Sequence, residues 1–566
     1  MNMGSGVSAG ASRRDAIHAI DIEIEIWSER IRARRSDRNN RLPISTIPVE
    51  LLSYIFSLVQ RKYRYESRDS LGWIVVTYVC QRWRGLALGN PLLWVYIPFQ
   101  CPDWVPEMTR RSKSAALKIE LNSTSFARSR VSGVREFLGV HICRIQKIKF
   151  NFPTSRKVTL QGLFQHLPPH SARSLENINL QYAPQGPNTM TVIDRLLADP
   201  SPLRRLKIYG PVDWSSKVLT SLTHFVLHYD DSVTNGSPPT YPQFFDALTH
   251  MPALQMLELY DVPLPSEELA SKFPVVHLSQ LKRINLIGSA QTVSNILRHI
   301  SFPESTRFQL TLDVSMASDV ALISELFRGI SPSTKAVIKL PLARSLRLTV
   351  EDDLACITAW SYFSNDSLGF SAWSFPDADD FFLRLSFPCL LESSTPDRDK
   401  VMSQAILEVC SAMPFQNLLA LSVISEEDLA WIDAESLAKA FGRQPELHSA
   451  HVEGPVLSEF LRFMAGGIGD LPHAPDTFPS LRRLSIYAGI FKKGCLSAGV
   501  LQDMLRHRKE FGMELEQVHF RCCTYLRAKD VKDMGEHVRK VTWDEVDDDS
   551  ESSSLSEEDG SGGVSE

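Results

Sequence analysis

The chain has 566 residues, 43% apolar and 22% charged, enough apolar side chains to build a packed core over most of its length. Its formal charge of −5 hides an asymmetry: residues 544–566 hold ten acids and no Lys or Arg, which leaves the rest at about +5, too weak a balance to argue for nucleic-acid binding. The longest nearly uncharged apolar stretch, Leu71 to Cys80, is far too short to cross a bilayer and the N-terminus lacks an apolar signal segment, while nine scattered cysteines fit reduced thiols better than a disulfide framework.

In chain order, residues 1–46 come first. Ile17, Ile20, Ile24, Trp27 and Ile31 fall at the three-and-four spacing of a helical seam. Ile20, Ile22, Ile24 and Ile26 also alternate with acids as a strand would, but no partner strand is evident, so a helix is expected. The basic run from Arg30 to Arg41 then reads as a solvated linker, with a nuclear-import signal as the other reading.

Residues 47–94 are the most informative. Leu51, Leu52, Ile55, Phe56 and Val59 recur at helical spacing behind Pro48, which suits a first turn because its missing amide hydrogen would be unpaired anyway. Glu50 sets negative charge against the positive end of that helix. After the charged segment Gln60 to Asp69, Val79, Trp83, Leu86 and Ala87 trace a second short helix. Gly89 is expected to close it in a left-handed cap, and Pro91 to prevent continuation. A start at Leu42-Pro43 is the alternative, but the residues after it lack the helical pattern. Helices this small cannot bury all their apolar side chains against one another, so a partner is expected. Cys80 reads as a buried small apolar residue.

This ordered combination resembles an F-box, and the chain as a whole resembles the F-box proteins expanded in fungi. The matching positions are Ile47, Pro48, Leu51, Leu52, Ile55, Phe56, Val79, Cys80, Trp83 and Trp94. The family more often has Leu where Ile47 stands. The resemblance implies docking of these residues on the S-phase-kinase-associated adaptor of a cullin-type ubiquitin ligase, with the rest of the chain holding a protein substrate.

Residues 95–543 carry a loose repeat, Leu-x-x-apolar-x-apolar, starting at Leu203, Leu254, Leu281, Leu418, Leu481 and Leu515. Several copies follow a proline and two follow helix-like stretches, Thr191 to Ala198 and Pro242 to Thr249. Such units have too little core alone and stack their apolar positions from one to the next, so an irregular leucine-rich-repeat arc with a parallel sheet is expected. The Asn or Cys that usually follows the strand is present only as Cys523, read as structural. The pattern fades between residues 300 and 410, with weak echoes at Leu346-Arg347-Leu348 and Leu383-Arg384-Leu385, and irregular units are expected there. The fold class is thus small all-α helices at the N-terminus followed by an α/β repeat. Residues 544–566, with Ser550, Ser552, Ser553, Ser554 and Ser556 among the acids, cannot bury enough apolar area to fold.

Catalytic and metal signatures are weak, and no cofactor is expected. His166 and His170 are separated by Pro168-Pro169, His448 and His451 lie in a probable repeat strand, and Gly466-Gly467-Ile468-Gly469 lacks a phosphate-loop lysine. Recognition offers more. In a leucine-rich strand the residues alternating with buried ones share the other face, which gives Arg205, Lys207, Tyr209, Tyr260, Arg283, Arg483, Tyr487 and Arg521 as candidates for binding an acidic or phosphorylated protein segment. The resulting expectation is a noncatalytic substrate receptor of an SCF-type ligase in the cytoplasm or nucleus, partnered by the adaptor, the cullin scaffold and a protein substrate, with no nucleic acid or membrane. The alternative is a leucine-rich-repeat scaffold or regulatory protein outside any ligase.

Overall fold

The computed structural model describes residues 6–66, 71–121, 128–151, 160–181, 189–197, 201–229, 239–265, 273–314, 317–329, 341–351, 354–362, 380–388, 404–410, 413, 417–425, 433–441, 444–464, 477–492 and 498–544. The glycine-rich loop at 466–469 and the acidic tail beyond Asp544 lie outside them. The chain forms two compact units, Met1–Leu203 and Arg204–Glu566.

The first unit opens with helix α1 (Gly6–Asn40). It takes in Arg30 to Arg38, the run read as a linker. No Gly or Pro interrupts Ala11 to Leu42, and arginine is a good helix former, so nothing in the sequence stops the helix before Pro43. After a 3-10 turn at Pro43–Thr46 comes α2 (Val49–Glu66), then a second 3-10 turn at Gly72–Thr77 and α3 (Gln81–Gly89). Cys80 is half-buried, not buried: it is the N-cap of α3, where its sulfur accepts from the Trp83 amide at 3.5 Å. Gly89 does not enter the left-handed region. Asn90 turns extended instead (φ −95, ψ 101), as a residue before proline must, and its side chain caps the turn Pro91–Trp94 through the Leu92 amide.

Strands β1 (Tyr96–Ile97), β2 (Leu117–Leu121), β3 (Ile145–Asn151) and β4 (Asn177–Gln181) pair in that order, all parallel. Helices α4 (Val105–Arg111), α5 (Arg128–His141), α6 (Leu160–Phe164) and α7 (Thr189–Leu196) alternate with and follow the strands, as parallel connections require.

In the second unit β5 (Arg205–Tyr209), β6 (His224–His228), α8 (Tyr241–Thr249), β7 (Met256–Tyr260), β8 (Val276–His277), β9 (Arg283–Ser289), α9 (Ala290–Arg298), β10 (Ile300–Ser301), β11 (Arg307–Asp313) and α10 (Ala317–Gly329) come first. There follow β12 (Ser345–Glu351), β13 (Leu354–Trp360), β14 (Leu383–Pro388), β15 (Ala420–Ser425), α11 (Ala434–Phe441), β16 (Ser449–Glu453) and α12 (Leu457–Met464). The unit closes with β17 (Arg483–Tyr487), α13 (Ala498–Glu510), β18 (Gln517–Arg521), α14 (Ala528–Gly535) and β19 (Lys540–Trp543). The main sheet runs β5-β6-β7-β9-β11-β14-β13-β12-β15-β16-β17-β18-β19, with β8 and β10 paired separately.

All six repeat segments are strands of this sheet, each paired in parallel with its neighbours there, β15 with β12 included. Their two inner apolar positions, such as Leu206 and Ile208, Leu257 and Leu259, or Leu484 and Ile486, are buried, as are the leucines that open each repeat. The stretch from 300 to 410 differs from the expected irregular units. Its two weak echoes are β12 and β14, and β13 runs antiparallel between them, seven residue pairs against β12 and six against β14. Chain order and spatial order are inverted there. β12 ends at Glu351 and β13 begins at Leu354, too short a separation for the crossover that a parallel pair needs, so the two strands run antiparallel. The molecule is therefore α/β with a mostly parallel sheet, and no sheet closes into a barrel among the described residues.

Candidate protein-docking surfaces

The first surface is built on α2. Its apolar side chains do not form one stripe. Leu52 and Phe56 have no exposed surface, and the Phe56 ring lies 5.0 Å from that of Trp83. Trp94, also fully buried, meets Trp73 edge-on at 5.0 Å and donates its indole hydrogen to the Ala87 carbonyl at 2.9 Å. Gln60 completes this interior by donating to the Leu93 carbonyl, and Arg82 fastens α3 to the entry of α2 through the carbonyls of Ser45 and Ile47.

On the other side of α2, Leu51 is 56% exposed, Tyr54 59%, Ile55 38% and Leu58 40%. Positions 51, 54, 55 and 58 recur at i, i+3, i+4 and i+7 and so share one face. Val79 is exposed together with Val75 and Tyr78, and Pro48 is exposed, while Ile47, Cys80 and Trp83 are half-buried. The ten sequence-predicted positions thus divide: Leu52, Phe56 and Trp94 are interior, and Pro48, Leu51, Ile55 and Val79 face outward. Sequence reading missed Tyr54, Leu58, Val75, Tyr78 and Leu92. The first two were legible as a second three-and-four series one residue out of phase with the first.

The second surface is the sheet face opposite the buried leucines of the second unit. Register places Arg205, His224, Met256 and Arg283 in one transverse row, so the two arginines stand three strands, roughly 14 Å, apart. Lys207, Tyr209 and Tyr260 gather around His228, whose ring is stacked between Tyr209 at 4.2 Å and Tyr260 at 3.8 Å, with planes within 4° and 10° of parallel. Lys207 reaches over the Tyr209 ring at 5.5 Å. Tyr260 donates to Glu258 at 3.1 Å and accepts from Asn285 at 3.0 Å. Burial, with Lys207 adding to it, pushes the His228 imidazole down to about 4; burial and the Glu258 carboxylate push the Tyr260 phenol up to about 12.

Arg483, Tyr487 and Arg521 form a separate group, with Tyr487 and Arg521 register partners and the guanidinium 5.9 Å over the ring. Beside them, His451 meets Ser485 at 3.1 Å and His519 meets Thr542 at 2.7 Å, a polar row across β16 to β19. Arg483 lies seven strand spacings from Arg283, roughly 34 Å, so the predicted residues form two patches on one sheet face, not one site. Between the patches, Arg347 and Arg384 flank Thr358 on the same face, residues that sequence reading missed because their strands belong to the inverted stretch. Burial lowers the Arg347 pKa most, against the raising effect of Glu453, and Arg384 lowers it further. Cys523 is buried behind this face, its sulfur donating to the carbonyls of Ile486 and Arg521, and burial pushes its thiol up to about 11, an inert role in a turn.

Among the described residues no group of His, Cys, Asp or Glu has the geometry to hold a metal, and no helix is long and apolar enough to cross a membrane. No protein-family model matches the chain, and no curated protein matches its sequence significantly.

Proposed function

We propose that the chain is a noncatalytic substrate receptor of an SCF-type ubiquitin ligase, acting in the cytoplasm or nucleus. In this reading Ile47 to Trp94 is an F-box-like domain that docks on the S-phase-kinase-associated adaptor and through it the cullin scaffold. The parallel strands after it are degenerate leucine-rich repeats arranged as an arc. The observation that carries the reading is the division of α2. Leu52 and Phe56 belong to an interior completed by Trp83 and Trp94, while Leu51, Tyr54, Ile55 and Leu58 present an apolar face to solvent with no occupant from the described residues of the same helix bundle. An apolar face of that kind needs a partner.

The mechanism is proximity. A receptor that holds a substrate beside a recruited conjugating enzyme raises the effective concentration of the acceptor lysine and supplies no nucleophile of its own. The substrate, an acidic or phosphorylated segment, meets the open sheet face through Arg205, Lys207, Tyr209, Tyr260 and Arg283 or through Arg483, Tyr487 and Arg521. The separation of these patches favours an extended segment over a compact one. The alternative, a repeat scaffold outside any ligase, shares the sheet face and lacks the adaptor contact.

Capture of recombinant adaptor and cullin by the full chain separates the two. Wild-type protein retains both, and Leu51→Asp or Ile55→Asp weakens retention by at least about 30-fold, the effect of burying a charge at the centre of an interface. A wild-type chain that retains no adaptor ends the ligase reading. For the substrate face, Arg205→Glu with Arg283→Glu, and separately Arg483→Glu with Arg521→Glu, lower substrate capture from lysate; unchanged capture by both pairs removes the face from the proposal.

A further inference from the structure

Helix α1 exposes an apolar seam that its own unit leaves uncovered. Ile17, Ile20, Ile24, Trp27 and Ile31 are each more than half exposed, and at 3.6 residues per turn they fall within an arc of about 80° on the helix surface. Some 28 residues of this helix, from Arg13 to Asn40, show no buried side chain. A seam of that length in water is stabilised by a second helix laid along it.

The charges beside the seam identify that helix. On one flank stand Asp21 and Glu25, followed by Arg32; on the other stands Glu23, followed by Arg30 and Arg34. From residue 21 onward each flank is acidic in its first part and basic in its second. Two copies laid parallel and in register face opposite flanks to each other and bring Arg32 beside Arg30 and Arg34 of the second copy, like against like. Two copies laid antiparallel, with Ile24 opposite Ile31 of the second copy, bring Asp21 and Glu25 against Arg32 and bring Glu23 against Arg30 and Arg34. The same register sets Trp27 against Ser28, and the aliphatic stems of Arg35 and Arg38 over Ile20 and Ile17. The contacts these groups make within one helix, Arg32 to Glu25 at 3.3 Å and Trp27 to Glu23 at 3.3 Å, lie in solvent and are weak competitors.

We infer that α1 pairs antiparallel with α1 of a second copy of this chain, making the protein a symmetric dimer through its N-terminal helix. The arrangement is isologous, since the acidic part of each flank meets the basic part of the same flank on the other copy about a two-fold axis near residues 27 and 28. It does not depend on the ligase reading, because none of its residues belongs to the surface assigned to the adaptor.

The test is the mass of the full-length chain in solution by light scattering. Wild-type protein runs as a dimer at micromolar concentration, and Ile24→Glu with Ile31→Glu runs as a monomer with unchanged circular dichroism. A monomeric wild type overturns the proposal, as does a double variant that stays dimeric. Orientation is read by oxidation of single-cysteine additions against the wild-type background. Ile17→Cys alone forms no new crosslink, because the two equivalent positions lie about 30 Å apart. Ile17→Cys mixed with Arg38→Cys does crosslink. Self-crosslinking of Ile17→Cys, or no crosslink in the mixture, overturns the antiparallel register.

Discussion

At the scale of single residues, neighbours in sequence have opposite roles. Leu51 and Leu52 are chemically identical and adjacent, yet the first lies in solvent and the second in the interior. Leu52→Ala therefore lowers stability by about 2–5 kcal/mol, the range for truncating a buried leucine, while Leu51→Ala changes it by under about 0.5 kcal/mol. Urea denaturation of the two variants measures the difference, and equal losses would place both side chains inside. Gly454 is constrained differently. It takes φ +82 after β16, and a Cβ there would overlap the Ser425 carbonyl oxygen at the end of β15. Gly454→Ala is expected to cost roughly 1–3 kcal/mol or more, combining an unfavourable backbone region with a steric overlap against main chain. Neither effect was legible in the sequence. Helical spacing groups Leu51 with Leu52 because both lie within a broad apolar arc, and only the position of Trp83 and Trp94 shows which half of that arc is interior.

Elements were more legible than the faces they present. The repeat Leu-x-x-apolar-x-apolar located six strands because two inner apolar positions spaced by two can both be buried only in extended chain. Among the strands that escaped, β13 has alanines at two of its three alternating buried positions, Ala355, Ile357 and Ala359, and β11 has no opening leucine in phase. Stacking across elements produces properties no single strand carries. His228 is held between Tyr209 and Tyr260 from the strands on either side, and its Nε2 is buried with no hydrogen-bond partner among the described residues. Its pKa falls from 6.5 to about 4, so the folded unit favours the neutral ring. That preference contributes fully above about pH 6.5 and is lost as pH falls toward 4, where the folded state must take up the proton that the unfolded chain already holds. His228→Phe keeps the ring stack and removes the proton site. Its urea midpoint should therefore decline less than that of wild type between neutrality and about pH 4.5. Parallel declines would show that other groups, among them His224 and His519, account for the whole slope.

For the whole molecule, the second unit depends on one strand that runs against the rest. β13 joins the two parallel parts of its sheet, β5 through β14 on one side and β12 through β19 on the other, by antiparallel ladders on both edges. Thr358 lies at its middle, opposite Arg347 and Arg384. Thr358→Pro removes a ladder donor in a central strand, where proline is essentially excluded, whereas Thr358→Val retains the backbone bonds. The proline variant is expected to lose cooperative unfolding by circular dichroism and the valine variant to keep it; a cooperative proline variant would take β13 out of the sheet. The same inversion governs the order in which the protein can be assembled as it is made. β11 ends at Asp313, and the strand that covers its edge, β14, begins at Leu383. At ~5–20 residues per second, the edge of β11 stays open for about 4–14 s while the intervening chain emerges, including β12, whose own place lies two strands further out. During that interval the growing chain carries an unpaired apolar strand edge that a neighbouring nascent chain can add to, so aggregation during synthesis is expected to begin at Arg307–Asp313.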